Sequence, residues 1–348
     1  MPNTMLAKPL PPKHGMIRVA PMAAIPALLR EFGVAPGPLL KKFGLSEEIF
    51  FQPDRTIPFE MLGRVVNTCA RETGCPHFGL LVGQRGNAST LGATGFLMKN
   101  APDVRTALNE AILNIDLHDR GATPFLDVSD ETTVLGYAIY QPGIEGSDQI
   151  SDGSLAIIWN VMRGLCGPEW LPLEVWFTHD KPADIGAYRR FFRTPLRFNA
   201  MHNALVFHTT WLARKIDHSD PMIYQHFQQH ILDMRRYSNQ DFSEKAYQAL
   251  LSLLGSQRCS LDDLARHFTI HPRTLNRRLK ESGTSFRELY SEARHQTANQ
   301  LLRDTRTSIE SIAVLLGYSD GTAFNRAFSK WEGVSPGKWR RQMQLARD

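Results

Sequence analysis

The chain has 348 residues, of which 42% are hydrophobic and 22% are charged. This composition is typical of folded globular domains and excludes a disordered, collagen-like or disulfide-stapled chain. Four scattered cysteines lack disulfide-framework or zinc spacing, which indicates a reducing cytoplasm. No apolar run approaches the roughly 18–20 residues that a membrane helix needs, so no membrane partner is expected. The net charge of +5 comes entirely from residues 241–348, which hold 17 Lys and Arg and 12 Asp and Glu. Residues 1–240 hold 23 basic and 23 acidic residues. This asymmetry predicts a polyanionic partner for the C-terminal end.

The first two thirds of the chain predict an α+β domain over residues 17–215. A lead over residues 1–16 has no apolar signal-peptide core and is expected to be disordered. Helices are predicted where apolar residues recur three or four apart, at Ala23–Phe32, Phe59–Thr73, Val104–Leu117 and Ser154–Leu165. Alternating patterns predict a hairpin of Ala122–Val128 with Thr133–Tyr140, and further strands at Leu173–Thr178 and Ala204–His208.

Residues 216–240 predict a linker that contains a helix. The helix is expected to begin at Asp220-Pro221 and to reach Arg236, and the segment Tyr237–Asp241 predicts a hinge. From residue 241 onward, helical patterns follow one another with short turns and no strand pattern. An all-α domain is therefore predicted over residues 241–348.

This C-terminal segment contains an internal repeat of 48–49 residues, with helix-turn-helix units at about 261–281 and 309–331. Leu264-Ala265 corresponds to Ile312-Ala313 at an offset of 48, and Leu275-Asn276-Arg277 corresponds to Phe324-Asn325-Arg326 at an offset of 49. The additional residue is expected in the turn between the two helices. Between the units, residues 286–304 predict a continuous helix of about 27 Å, which could hold two reading helices about one DNA turn apart.

The second helix of each unit predicts an apolar inner face and a polar outer face. The apolar residues are Leu275 and Leu279 in the first unit and Phe324 and Phe328 in the second. Arginine can bind guanine and asparagine can bind adenine through two hydrogen bonds in the major groove. The candidate base-reading residues are Arg273, Asn276 and Arg277 in the first unit, and Thr322, Asn325 and Arg326 in the second.

Local patterns also predict how these helices begin. Ser260 and Ser308 precede acidic first turns and are candidate N-caps, and Pro272 and Asp320 are expected where the second helices start. The two serines, together with Lys280 and Lys330, are candidates for contacts with the DNA backbone.

In these residues and their spacing, the C-terminal segment resembles the AraC/XylS family of bacterial transcription regulators. The resemblance covers about residues 243–342 and is carried by Gly317-Tyr318, by the segment 324–328 and by Gly333-Val334-Ser335-Pro336. It implies that two recognition helices enter successive major-groove segments of one asymmetric site on double-stranded DNA. It also implies RNA polymerase as a partner and activation rather than repression. Gly321 stands where relatives often carry a polar side chain, so the second unit is expected to read fewer bases.

The N-terminal region resembles the companion domain of the ornithine-utilisation-regulator branch of this family. The matching segments are 188–192, 195–198 and 203–207. The resemblance implies an effector-binding, self-associating domain rather than the cupin-like sensor of arabinose regulators, and hence a homodimer. It identifies neither the effector nor the residues that bind it.

Three other patterns have simpler explanations than a catalytic or metal site. Gly333–Gly337 fits G-x-S-x-G, but a helix precedes it where a hydrolase needs a strand. His226 and His230 lie four apart without a third ligand. Trp159, Trp170, Trp176 and Phe177 are expected in the core, with an apolar ligand pocket as the alternative. No catalytic residue, metal or cofactor is predicted.

The sequence therefore predicts a cytoplasmic, nucleoid-associated regulator, non-enzymatic, that activates a catabolic operon in response to a small molecule. Three alternatives remain open for the N-terminal domain: dimerisation without a ligand, recognition of another protein, and an enzyme fused to a DNA reader. The enzyme would be favoured by a hyper-reactive Cys69 or Cys75.

Overall fold

The computed structural model describes residues 15–141, 143–237, 242–255, 259–268 and 270–345. The strands are β1 (Met16–Arg18), β2 (Thr56–Pro58), β3 (Ala122–Val128), β4 (Thr132–Ile139), β5 (Glu174–Trp176), β6 (Leu196–Arg197) and β7 (Asn203–His208). The N-terminal helices are α1 (Ile25–Glu31), α2 (Pro36–Lys41), α3 (Phe59–Thr73), α4 (Phe78–Gln84), α5 (Ala93–Lys99), α6 (Val104–Asn114), α7 (Ser147–Cys166), α8 (Gly186–Phe192) and α9 (Pro221–Tyr237). The C-terminal helices are α10 (Phe242–Gly255), α11 (Leu261–His267), α12 (Pro272–Glu281), α13 (Phe286–Asp304), α14 (Ile309–Leu315), α15 (Gly321–Glu332) and α16 (Pro336–Leu345). Short 3-10 helices span Ala20–Met22, Glu47–Phe51, Ala88–Leu91, Ile115–Leu117 and Thr209–Ala213.

A five-stranded sheet in the order β3-β4-β7-β5-β6 forms the centre of the N-terminal body. Neighbouring strands are antiparallel except β5 and β6, which are parallel. The predicted hairpin is confirmed, and its turn spans residues 129–131, where the Ser129 hydroxyl donates to the Thr132 carbonyl at 2.7 Å. This open sheet differs from the eight-stranded jelly roll of cupins.

Helix α7 crosses α4 so closely that only glycine fits at the contact. A Cβ atom on Gly79 would lie 2.0 Å from the Gln149 carbonyl oxygen, and one on Gly83 would lie 2.1 Å from that of Gly153. The prediction placed the start of α7 at Ser154, whereas the helix begins at Ser147. Polar residues in its first two turns hide the helical periodicity, and several of them are buried against other parts of the fold.

The helix predicted within the linker, α9, lies on the N-terminal body. Its Phe227 ring stacks on Phe96 with the ring centroids 5.1 Å apart, and its Arg235 pairs with Asp116 at 2.7 Å. The predicted hinge falls largely on residues 238–241, which lie outside the described residues, as do residues 1–14 of the predicted lead. Met16, the last residue of that lead, already belongs to β1.

The described residues from 242 onward form helices only, around two separate cores. Leu275 and Leu279 are buried in the first core, and Phe324 and Phe328 in the second. Helix α13 belongs to both, since its first half packs in the first core and its second half in the second. The predicted fold class is confirmed: an α+β N-terminal domain precedes an all-α domain with two helix-turn-helix units joined by a long helix.

Candidate nucleic-acid interface

The first helix-turn-helix unit consists of α11 and α12. Ser260 caps α11 in a reciprocal capping box, accepting a hydrogen bond from the Asp263 backbone N–H at 3.1 Å while the Asp263 carboxylate accepts from the Ser260 N–H at 3.0 Å. Pro272 begins α12, where its missing N–H leaves no helical hydrogen bond unmade. These local interactions fix where the reading helix starts.

The outward face of α12 carries the predicted reading residues of the first unit. Arg273, Asn276, Arg277 and Lys280 are all exposed, and their spacing of three, four and seven places them on one helix face. The Arg277 guanidinium pairs with Glu281 at 2.9 Å, and both side chains remain more than half exposed to solvent. This face can therefore reach a ligand without unfolding any part of the unit.

The second unit repeats this arrangement in α14 and α15. Ser308 caps α14 by accepting from the Ser311 N–H at 3.0 Å, and Asp320 caps α15 by accepting from the Ala323 N–H at 2.7 Å. That backbone hydrogen bond, with one from Ser319, lowers the pKa of Asp320. The side chains of Thr322, Asn325, Arg326 and Lys330 are exposed on α15.

The two units differ in two respects. Residues 268–271 separate the helices of the first unit and residues 316–320 those of the second, so the additional residue of the repeat lies in the turn, as predicted. Gly321 opens α15 in free space, since a Cβ atom there would meet nothing closer than the Glu310 side chain at 3.8 Å. The second unit thus presents no side chain at this point of its reading helix.

Arg294 of α13 holds the turn of the second unit, a role that the sequence analysis missed. Its guanidinium carbon lies 4.1 Å from the Tyr290 ring centroid and 4.3 Å from that of Tyr318, and its Nη2 donates to the Gly317 carbonyl at 2.8 Å. Gly317 adopts a left-handed conformation with φ of 69°. The Tyr290–Arg294 spacing of four on a helix was the available signal, but its partner in the turn is set by tertiary structure.

A second feature missed from the sequence is the attachment of α10 to the N-terminal sheet. The Tyr140 ring is buried in the first C-terminal core, and its hydroxyl donates to the Leu251 carbonyl at 2.5 Å. The Ser252 hydroxyl donates to the Pro124 carbonyl of β3 at 2.9 Å. The β3–β4 hairpin is thereby joined to the helix that packs beneath the first reading unit.

Two known family models match this chain, one in the N-terminal domain and one in the C-terminal domain. A family model described as the arabinose-binding N-terminal domain of AraC transcription regulators matches residues 33–216. A model described as a helix-turn-helix domain matches residues 264–342. The chain belongs to the AraC family of transcription regulators. It is therefore a DNA-binding transcription regulator rather than an enzyme.

Relatives match over nearly the whole length of this AraC-family protein. The transcriptional regulator VirS of Mycobacterium tuberculosis is 28% identical over 329 residues, covering 93% of this chain and 96% of VirS. The ornithine utilization regulator of Pseudomonas aeruginosa is 24% identical over 328 residues, with the same coverage, which confirms the predicted branch. The crystal structure of the regulator CdpR from Pseudomonas aeruginosa is 22% identical, with a TM-score of 0.42, over 92% of this chain and 96% of CdpR.

The structure also shows where the G-x-S-x-G segment and the two spaced histidines lie. Gly333 ends α15 in a left-handed C-cap, so G-x-S-x-G here is a turn between helices. His226 and His230 are exposed on α9, and no cluster of three metal-ligating side chains occurs among the described residues. Within the same residues, no helix combines the length and hydropathy needed to span a bilayer.

The cysteines that the enzyme alternative requires are buried. Burial is the main factor that raises the pKa of Cys69 to about 12, and it also raises the pKa of Cys75. Both thiols are therefore protonated at neutral pH, whereas nucleophilic cysteines are thiolates with lowered pKa values.

Of the aromatic residues proposed as a core or as a pocket wall, Trp159, Trp170 and Phe177 lie in the core, whereas Trp176 is half-buried, with the Arg197 guanidinium carbon 5.6 Å from its ring centroid. Trp170 and Phe177 are completely buried in the N-terminal core, and Trp159 is 8% exposed. A separate apolar cavity of about 120 Å³ lies between the β3–β4 hairpin, α6 and α7, and none of these tryptophans lines it. The sequence carried no signal for this cavity, because its residues come from many distant segments.

Proposed function

We propose that this regulator reads an asymmetric DNA site through two recognition helices. The observation that carries the proposal is the repetition of one exposed face, with an Asn-Arg pair at equivalent positions of α12 and α15. Each helix packs in a core to which α13 contributes, and the 19 residues of α13 make a spacer of about 28 Å. That length suits two reading helices about one turn of DNA apart.

The base-reading residues in this proposal are those on the two exposed faces. Arginine has the geometry for guanine O6 and N7, and asparagine that for adenine N6 and N7. In the first unit these are Arg273, Asn276 and Arg277, and in the second Thr322, Asn325 and Arg326. The first unit contributes more, because Gly321 leaves the start of α15 without a side chain.

Phosphate contacts in this proposal come from the ends of the same elements. Lys280 and Lys330 are exposed at the C-terminal ends of the reading helices. Ser260 and Ser308 place the N-termini of α11 and α14, whose backbone N–H groups are suited to phosphate oxygens. The two hydroxyls themselves are engaged as helix caps, so their effect on DNA would act through helix position.

The N-terminal domain, over residues 17–215, is proposed to bind a small-molecule effector and to form a homodimer. Tyr137 and Pro124 line the cavity, whereas Tyr140 and the Pro124 carbonyl contact α10. One hairpin thus separates the cavity from the support of the first reading unit. An effector that prefers one position of this hairpin would shift the population of DNA-competent arrangements.

In the cell, the proposed outcome is activation of a catabolic operon in the cytoplasm, together with RNA polymerase. The name of the ornithine utilization regulator of Pseudomonas aeruginosa supports a catabolic role, and activation is proposed from the family resemblance. The second candidate is a ligand-independent dimeric regulator. It is favoured if no compound alters DNA binding by the full chain.

Selection of host genomic DNA by the purified full-length protein tests the proposal. Recovered fragments are expected to share one asymmetric motif, and binding should weaken steeply with salt because phosphate contacts release counterions. An Arg277→Ala, Arg326→Ala double variant serves as the matched control and should recover no shared motif. Recovery of random fragments by the unaltered protein at low salt would refute sequence-specific reading.

A further inference from the structure

The cavity in the N-terminal domain has walls of aliphatic side chains. Leu108 and Ile112 of α6, Leu135 of β4, and Ile157 and Val161 of α7 contribute to them. Small-molecule sites in proteins combine such walls with a few placed polar groups. Its volume of about 120 Å³ is close to that of a dry apolar cavity of about 150 Å³ that accepts benzene.

One end of the cavity carries the polar residues His118, Asp119 and Tyr137. The Asp119 carboxyl is already occupied, since it accepts from the Gly121 N–H at 2.8 Å, from the Ala122 N–H at 3.3 Å and from the Tyr137 hydroxyl at 2.7 Å. Burial nevertheless raises the pKa of Asp119 to about 7. Asp119 and Tyr137 are thus held together by a hydrogen bond at this end of the cavity.

His118 is the member of this group that lacks a partner. Its Nδ1 has no hydrogen-bond partner among the described residues, and the side chain is only 7% exposed. Burial, followed by the positive charge of Arg18, lowers the pKa of His118 to about 3, so the imidazole is neutral. A buried polar atom without a partner is costly, and a ligand group that hydrogen-bonds to it would remove that cost.

The lining also indicates which ligands do not fit. Among the described residues no lysine or arginine lines the cavity, and the nearby Arg18 guanidinium is already paired with Asp54, so a carboxylate would be buried without a free counter-ion. An ammonium group at His118 would be disfavoured by the positive charge of Arg18, which contributes to lowering the pKa of His118 itself. A sugar would bring more hydroxyl groups than the polar end can satisfy.

We propose that this cavity binds a neutral molecule of about one six-membered ring, with an apolar body and a single hydroxyl or carbonyl group that hydrogen-bonds to His118. The proposal names the ligand class of the effector role proposed above and rests on that role only for its regulatory meaning. A ligand in this position contacts Tyr137 on one face of β4. Tyr140 follows on the opposite face, against α10.

Binding is tested on the full-length protein without DNA, by calorimetric titration and ligand-observed NMR. The probes share a benzyl or tolyl frame and differ in charge and polarity: benzyl alcohol, toluene, benzylamine and benzoate, with arabinose as the sugar probe. Benzyl alcohol is expected to bind saturably at one site and more tightly than toluene. Benzylamine, benzoate and arabinose are expected not to compete with it.

Three variants locate the site. Ala111→Leu fills the cavity from α6 and should weaken benzyl alcohol by about tenfold or more, as overpacking of a closed apolar site does. His118→Phe removes the nitrogen and should bring the affinities for benzyl alcohol and toluene together. Val314→Ala changes a side chain that is 60% exposed on α14 and does not line the cavity, and it should leave the dissociation constant unchanged.

Several results would overturn the proposal. Tighter binding of benzylamine than of benzyl alcohol would make Asp119 a counter-ion and the ligand a cation. Unchanged benzyl alcohol affinity in Ala111→Leu would place the ligand elsewhere; if that variant does not fold, Ile112→Phe provides the same test from another position. Because no DNA is present, a failure of the DNA-reading proposal would leave these results unaffected.

Discussion

Replacement of Arg277 by alanine separates DNA reading by this side chain from any role in folding. Its ion pair with Glu281 joins side chains that are 66% and 59% exposed. Such a pair, four residues apart on a helix, stabilises by only about 0.3–0.5 kcal/mol. The free energy of unfolding should therefore fall by no more than about 0.5 kcal/mol. A lost bidentate guanine contact costs about 1–3 kcal/mol, which is roughly a 5- to 150-fold loss of affinity.

The assay is fluorescence anisotropy on the selected DNA duplex and on its single-base variants, with urea unfolding in parallel. Arg278→Ala is the matched control, since this neighbouring guanidinium lies 5.5 Å from the Phe242 ring centroid of α10. That variant should lose about 0.5–1 kcal/mol of stability and keep the base preference. If Arg277→Ala instead weakens all duplexes equally and reduces the salt slope by about one, Arg277 contacts phosphate and the reading proposal for it is wrong.

Three further predictions address the second unit, its core and the sensor. Arg326→Ala should relax specificity at one base of the second half-site, with a loss of affinity no larger than for Arg277→Ala; a larger loss would reverse the ranking of the two units. Phe328 is fully buried against Phe324 and Trp339, so Phe328→Ala should lower the free energy of unfolding by about 3–5 kcal/mol in urea denaturation, and a loss below about 1 kcal/mol would contradict this packing. Burial opposes protonation of His179, but the hydrogen bond and charge of Asp152 raise its pKa from 6.5 to about 9. This stabilisation is complete below about pH 6.5 and is lost as the pH rises through about 9. In His179→Gln, the free energy of unfolding should therefore decline less steeply between these two pH values. An unchanged slope would show that the His179–Asp152 pair does not cause the decline.

The amino-acid sequence alone determined the DNA-binding half in considerable detail. The repeat, the helix starts at Pro272 and Asp320, and the inward faces of both reading helices followed from local periodicity and capping. Interactions between residues three to five apart decide these features, so a short window of sequence contains the necessary information. The hairpin of β3 and β4 was predictable for the same reason, because its strands are joined by a short turn.

Tertiary structure alone decided how the two halves meet and where the cavity lies. The Ser252 hydroxyl and the Pro124 carbonyl are 128 residues apart in the chain, and the Tyr140 hydroxyl lies 111 residues from its partner, Leu251. The local sequence around each of these residues contains no information about a partner that lies more than 100 residues away. The polar first turns of α7 hid its start for a related reason: buried Asp152 is satisfied by His179, 27 residues away, and by Tyr188, 36 residues away. Local patterns specify the elements, whereas pairings between distant segments specify the enclosed space and the contact surfaces on which regulation would depend.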